Sequence, residues 1–130
     1  MTLKKKTRVK KVKLKHNPQT AAQDFQKKYP NIEVCAIYGI DEFTEYLIHH
    51  LWEQPDIVFA CTDINPNRLS YINRKIGQRS FSMYRWHIYS HQGFIEEPHS
   101  EVIVVAKDLI LDVKNLPNPY DAELVVLEDL

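Results

Sequence analysis

The 130-residue chain contains only three glycines, and this scarcity limits the nucleotide-binding motifs that it can carry. Walker A loops and dinucleotide-binding turns place several glycines at fixed spacings so that backbone amides can approach phosphate. Neither pattern is present, and the H-E-x-x-H zinc motif and the EF-hand loop are absent too. Nucleotide binding through a glycine-rich loop is therefore excluded.

Cysteine is equally scarce, with two residues in the whole chain, Cys35 and Cys61. Two cysteines are too few for a disulfide framework, and their spacing is not that of a zinc pair. No apolar run approaches the ~18 residues of a membrane-spanning helix, and the N-terminus lacks the apolar segment of a signal peptide. We therefore expect a cytoplasmic protein with reduced thiols, no membrane contact, no bound metal and no cofactor.

The formal net charge of zero conceals an uneven distribution of charge. Over the whole chain, 17 Lys and Arg residues balance 17 Asp and Glu residues. Residues 1–16, which we call the basic arm, contain no acidic residue and eight basic ones: Lys4, Lys5, Lys6, Arg8, Lys10, Lys11, Lys13 and Lys15. The other 114 residues hold nine basic and 17 acidic side chains, so an arm of charge +8 precedes a body of charge −8.

The length and the ordinary hydrophobic content of 44% predict a single globular domain. We assign residues 1–16 to the basic arm, free or as an edge strand, and residues 17–130 to the domain. Asn-Pro pairs at 17–18 and 65–66 are typical of a helix N-cap followed by proline at the first helical position. Asp41 is a third N-cap candidate, for a helix from about residue 42 to residue 52.

Short apolar or alternating runs predict the strands. They occupy residues 57–61, 80–91 and 124–127, and residues 102–113 resemble a hairpin with Lys107 and Asp108 at its turn. Because helices come first and most strands follow, the pattern predicts an α+β fold. We expect about three helices packed on a mostly antiparallel sheet of five to six strands.

The segment from Ile32 to Ile40 permits two interpretations. Its alternating apolar residues are typical of a strand that ends at Gly39. An apolar stripe at helical spacing also continues from Ala36 to Leu51, so a helix can begin at Cys35. Local propensity favours the strand, because a glycine inside a helix costs about 1 kcal/mol relative to alanine. The function of Cys35 depends on which interpretation holds.

The segment HSEVIVVAKDLILD, from His99 to Asp112, places a histidine at the start of one predicted strand and an acid at the end of the next. This order, downstream of Cys35, resembles papain-fold cysteine enzymes, in particular the small papain-fold toxin domains of bacterial polymorphic toxin systems. The resemblance covers residues 30–127. It implies a cysteine hydrolase or protein/glutamine deamidase acting on protein or peptide amides, with Cys35 as nucleophile, His99 as general base and Asp112 orienting the imidazole.

Alternatives remain for two members of this triad, the orienting residue and the nucleophile. In a hairpin with a two-residue turn, Asp112 is displaced by four residues, about 14 Å, from the position opposite His99. Asn115 nearly occupies that position and is the second candidate for the orienting residue. Cys61 is the second candidate for the nucleophile.

The uneven charge supports a function of a different class. A non-enzymatic α+β module whose basic arm contacts nucleic acid or an acidic protein partner explains the eight positive charges directly. Binding of this kind to nucleic acid is independent of sequence and sensitive to salt, because it releases counterions from the phosphates. An inhibitor that acts by surface complementarity leaves no sequence signature and stays open as well.

Overall fold

The computed structural model describes residues 17–78, 82–96, 102–114 and 122–129. These residues form five strands: β1 (Val34–Tyr38), β2 (Val58–Thr62), β3 (Trp86–Ile88), β4 (Val102–Val105) and β5 (Glu123–Val125). The strands make one sheet in the order β3-β2-β1-β4-β5. Every neighbouring pair is parallel, and the central strand β1 pairs with β2 on one side and with β4 on the other.

Helices precede β1 and occupy every connection between strands. They are α1 (Pro18–Lys28), α2 (Glu42–Leu51), α3 (Pro66–Gly77), α4 (Ser82–Arg85), α5 (His91–Glu96) and α6 (Ile110–Lys114), with single 3-10 turns at Lys107–Leu109 and Leu127–Asp129. The three predicted N-caps are confirmed, because the side chains of Asn17, Asp41 and Asn65 each accept a backbone hydrogen bond from the first turn of a helix. Each cap satisfies a backbone donor that the helix itself leaves unpaired.

The sheet is covered on both faces. The first face, which carries Cys35 and Ile37 of β1, packs against α1, α2 and α3. The second face, which carries Ala36 and Tyr38, packs against α5, α6 and the turn between β4 and α6. Burial on both faces explains the nearly continuous apolar sequence of the strands, which is typical of parallel sheets.

The structure decides between the two interpretations of residues 32–40 in favour of the strand. Residues 34–38 form β1, Gly39 follows it, and α2 begins only after the Asp41 cap. The apolar stripe at helical spacing from Ala36 to Leu51 arises because an apolar strand and the apolar side of α2 follow each other closely along the chain.

Two parts of the predicted fold are wrong: the sheet is parallel rather than mostly antiparallel, and the described residues contain six α-helices rather than about three. The segment 102–113 is not a hairpin: β4 ends at Val105, and Lys107 and Asp108 begin a helical turn that continues into α6. The segment 80–91 is not one long strand, since its described part contains α4 and the three-residue β3. Apolar residues on both sides of a strand indicate burial, but they do not reveal whether its neighbour is parallel or antiparallel.

The order of the strands reverses at β1. The chain moves outward from β1 to β2 and β3, then returns to the other side of β1 to form β4 and β5. Helices α2 and α3 lie on the first face, whereas α5 and α6 lie on the second. The connections that leave the carboxyl ends of β1 and β4 therefore diverge to opposite faces, and the edge of the sheet between them is a topological switch point.

Gly39 offers a direct test of the packing at this edge. Its φ of 99° is a conformation that other residues rarely adopt, and a Cβ there would lie 2.5 Å from Leu109 Cδ1 and 2.8 Å from Ala106 Cβ. Because both strain and overlap oppose a side chain, Gly39→Ala is expected to lower the free energy of unfolding by roughly 2–5 kcal/mol. Urea denaturation followed by circular dichroism measures this change.

Gly77→Ala is the matched control for that experiment. Gly77 is the last residue of α3, and a Cβ there would meet no atom within 4 Å. Alanine is expected to raise the stability by up to about 1 kcal/mol, because it is the better helix former. Equal effects of the two substitutions would contradict the close packing of β1 against the turn after β4.

Candidate functional site

We call the edge of the sheet at which the parallel strands end the carboxyl edge. Its first feature is a hydrogen bond between Tyr38 and His91. Tyr38 is the last residue of β1 and is fully buried, while His91 begins α5 and is half-buried. The Tyr38 hydroxyl lies 2.7 Å from His91 Nε2, and the two ring centroids are 5.6 Å apart. Since 53 residues separate the two positions, only the fold of the second face brings them together.

The environment keeps the Tyr38 hydroxyl protonated. Burial, followed by the negative charges of Asp112 and Asp63, raises the pKa of Tyr38 to about 12. At neutral pH the phenol is therefore a neutral group that can both donate and accept a hydrogen bond. Together with the imidazole of His91, it supplies a donor and an acceptor at the end of the central strand.

On the first-face side of the same edge, Asp63 follows β2 and its side chain is fully buried. Its Oδ2 accepts a 2.7 Å hydrogen bond from the Ile40 backbone N–H, and its Oδ1 accepts one of 2.7 Å from the Asn65 N–H. Asp63 thereby ties the turn after β1 to the turn after β2. A buried carboxylate is tolerated only with such partners, because removing it from water is costly.

Arg68 of α3 neutralises Asp63 and extends the network. Its Nη2 donates to Asp63 Oδ1 at 3.2 Å, and its Nε lies 3.1 Å from Oδ2 without hydrogen-bond geometry. The same guanidinium donates from Nη1 to both carboxylate oxygens of Asp108, at 3.0 and 3.2 Å. Arg68 therefore bridges from α3 across the edge to the turn after β4.

Asp41 makes a second bridge between the turns. Its Oδ1 accepts from the Thr44 N–H at 2.9 Å, and the Thr44 hydroxyl oxygen accepts from the Asp41 N–H at 2.8 Å, which completes a capping box. The other oxygen, Oδ2, accepts from the Lys107 N–H at 3.0 Å. The first-face side of the carboxyl edge is thus closed by internal hydrogen bonds, whereas Tyr38 and His91 lie on the second-face side.

The structure places Cys35, the predicted nucleophile, at the second position of β1 rather than at the start of a helix. The residue is fully buried among the first-face core, and burial raises the pKa of its thiol to about 12. Cys61 is buried in β2, where desolvation and the charge of Asp63 also raise its thiol pKa. Neither environment favours a thiolate, the form that nucleophilic catalysis needs.

Among the remaining predicted site residues, Asp112 falls within the part of the chain that the structure describes. Asp112 is exposed on α6, near enough to Tyr38 to affect its pKa, and does not close a hairpin strand. His99, Asn115 and all eight basic residues of the arm lie outside the described residues.

Sequence reasoning missed Tyr38, Asp63 and the pairing of His91. One signal for the first two was present: each is a polar residue at or just after the carboxyl end of an apolar strand. For His91 no local signal exists, because its partner is defined only by the tertiary structure. In the described parts of the chain, no group of three or more His, Cys, Asp or Glu residues is arranged to hold a metal ion.

Comparison of the chain with protein-family models, with curated proteins and with solved structures finds no match. Of the helices in the described residues, none combines the length and the apolar character that crossing a bilayer requires. The function must therefore be argued from the geometry of the carboxyl edge.

The two cysteines allow a test of this geometry by alkylation. With a pKa of about 12, Cys35 is ionised to about one part in ten thousand at pH 8. We expect native protein at pH 8 to leave both Cys35 and Cys61 unlabelled by iodoacetamide over a time in which free cysteine reacts completely. Peptide mass spectrometry measures the labelling, and protein unfolded in urea, in which both thiols should react, is the control. Faster labelling of native Cys35 than of free cysteine would contradict its burial.

Proposed function

We propose that this protein binds a small polar ligand at the carboxyl edge of its parallel sheet, beside Tyr38 and His91. The observation that carries the proposal is the reversal of strand order between β1 and β4. In open parallel sheets, ligands bind outside the carboxyl ends of the strands at this position, since the connections diverge there and leave a crevice.

The side chains at the edge indicate which part of it the ligand contacts. On the first-face side, Asp63 and Asp108 are joined through Arg68, so both carboxylates already have a charged partner within the protein. On the second-face side, the Tyr38 hydroxyl and the half-buried His91 ring form a polar pair within an apolar surround that includes Phe94. A few polar groups set among apolar side chains are typical of small-molecule sites.

A fragment titration followed by NMR tests this proposal. Uniformly ¹⁵N-labelled full-length protein is titrated with a library of nucleosides, sugars, amino acids and small organic cations. We expect the fragments that bind to shift the imidazole resonances of His91 and the backbone amides next to Tyr38. His87 is the matched control, because it is an exposed histidine on edge strand β3. Fragments that perturb only His87, or none that perturbs His91, would contradict the proposal.

Tyr38→Phe separates ligand binding from a purely structural role of the hydroxyl. Loss of one hydrogen bond is expected to weaken a fragment found at His91 by about five- to tenfold and to lower stability by about 1 kcal/mol. Tyr84→Phe, at a position that is 69% exposed on α4, should change neither quantity. If Tyr38→Phe lowers stability but leaves fragment affinity unchanged, the Tyr38–His91 pair is structural and the proposal fails.

The cysteine hydrolase stays a prediction of the papain-fold resemblance. Its mechanism requires an ionisable thiol at a helix N-terminus. Cys35 instead lies in a buried strand, and α2 begins seven residues later. We therefore favour the ligand site at Tyr38 and His91 over an active site at Cys35.

Binding through the basic arm is a second proposal, and the uneven charge of the chain supports it. Eight basic residues without an acid precede a body of charge −8, a distribution suited to contacts with phosphates or with an acidic protein. If all eight charges contact duplex DNA, the logarithm of the binding constant should fall with the logarithm of salt concentration with a slope of up to about −7.

Fluorescence anisotropy with a random DNA duplex measures this slope in the full-length protein. Replacement of the eight basic residues of the arm by glutamine is expected to abolish both the binding and its salt dependence. Replacement of Lys27 and Lys28, two exposed lysines on α1, is the control and should have a much smaller effect. Unchanged binding after the eight substitutions, or binding without salt dependence, would contradict a role of the arm in contacting nucleic acid.

A further inference from the structure

We infer that the ligand at the carboxyl edge carries no phosphate group and no net negative charge. The carboxylate of Asp41 already occupies the start of α2, the position at which a phosphate would otherwise bind. This inference rests on the proposed ligand site and specifies the chemical class of its ligand. It concerns the turn between β1 and α2, which lies next to Tyr38 and leads directly into the first helix after the central strand.

Phosphate binding at such a turn has two physical requirements. Backbone N–H groups of the turn and of the first helical residues must be available to donate to the phosphate oxygens. The positive end of the helix dipole must also face the ligand without another anion in between. The described turn offers few free donors and already carries an anion at the start of α2.

Four backbone donors of the turn and of the first turn of α2 are already engaged within the protein. The Gly39 N–H donates to the Thr62 carbonyl at 2.8 Å, and the Ile40 N–H donates to Asp63. The Asp41 N–H donates to the Thr44 hydroxyl oxygen, and the Thr44 N–H donates to Asp41 Oδ1. An incoming phosphate would have to displace an internal acceptor at each of these four groups.

Asp41 is itself the anion at the start of α2, and it is held from two sides. One carboxylate oxygen bonds the Thr44 N–H of α2, and the other bonds the Lys107 N–H of the turn after β4. Because both oxygens are engaged, the carboxylate cannot rotate away without losing a hydrogen bond. A phosphate placed at this helix start would meet a negative charge at close range.

Packing leaves no space for a phosphate at the Cα of Gly39, where a glycine-rich loop would admit one. A Cβ added to Gly39 would already lie 2.5 Å from Leu109 Cδ1 and 2.8 Å from Ala106 Cβ. Glycine therefore serves here to let the turn after β1 pack directly on the turn after β4. In a glycine-rich phosphate loop, by contrast, the absent side chains let the backbone approach the ligand.

The net negative charge of the surrounding turns also opposes the binding of an anion. Segments 39–44, 62–68 and 106–112 hold two basic residues, Arg68 and Lys107, and five acidic ones: Asp41, Glu42, Asp63, Asp108 and Asp112. Arg68 is paired with Asp63 and Asp108, and the Lys107 ammonium is paired with Glu128 at 3.0 Å. This excess of negative charge repels anions and favours neutral or cationic ligands.

Titration with pyrophosphate at constant ionic strength tests the inference on the full-length protein, read at the backbone amides of residues 39–44 and 107. We expect no saturable shift with the natural sequence. Asp41→Asn removes the charge but keeps a side chain that can cap α2. It is expected to bind pyrophosphate at least about tenfold more tightly, with saturable shifts at these amides.

Two further variants complete the design. Asp41→Ser keeps a capping oxygen but lacks the second carboxylate oxygen that reaches the Lys107 N–H. It is expected to gain the same affinity for pyrophosphate, and it replaces Asp41→Asn if that variant folds poorly. Asp56→Ser removes one negative charge from an exposed position in the connection between α2 and β2, and it should leave pyrophosphate binding unchanged. A gain of equal size in Asp56→Ser would attribute the effect to net charge and would overturn the role of Asp41.

Saturable pyrophosphate binding to the natural sequence at these amides would overturn the inference, and so would folded Asp41 variants that gain no affinity. These outcomes are distinguishable from failure of the proposed ligand site, which is read at His91 and Tyr38. A phosphorylated fragment that shifts His91 would contradict the exclusion of phosphate and still support the ligand site. Neutral fragments that bind elsewhere would contradict the ligand site and leave the pyrophosphate result unaffected.

Discussion

The buried carboxylate of Asp63 organises the carboxyl edge of the sheet. A charge in this position is tolerated because the backbone amides of Ile40 and Asn65 and the guanidinium of Arg68 surround it. Removing one partner from such a group leaves an uncompensated buried charge, which typically costs several kcal/mol. The turns after β1 and β2 are consequently held together, and through Arg68 they are connected to Asp108 beyond β4.

This arrangement divides the carboxyl edge into two parts with different chemistry. On the first-face side, carboxylates bind the protein's own amides and its arginine, so the region stabilises the fold and excludes anions. On the second-face side, the strand ends in the fully buried Tyr38, whose hydroxyl contacts the half-buried His91 ring. The proposed ligand site and the inferred absence of phosphate are therefore two consequences of one network.

Prediction from the sequence succeeded where the signals were local. The side chains at 17, 41 and 65 cap helices through contacts that span two or three residues, and all three caps are present. It failed for the sheet, because an apolar segment such as 102–105 is compatible with either strand direction. The residues after it, Lys107 and Asp108, suit a hairpin turn and the first turn of a helix equally well, so the antiparallel sheet was predicted where parallel strands occur.

The sequence by itself determined where the helices α1, α2 and α3 begin, that residues 32–40 favour a strand, and how unevenly the charge is distributed. Each of these follows from neighbouring residues or from composition. Only the tertiary structure decided the strand order, the high pKa of Cys35 and the pairing of Tyr38 with His91. The physical reason is distance along the chain: strand pairing, burial and a hydrogen bond across 53 residues depend on segments that no local pattern connects.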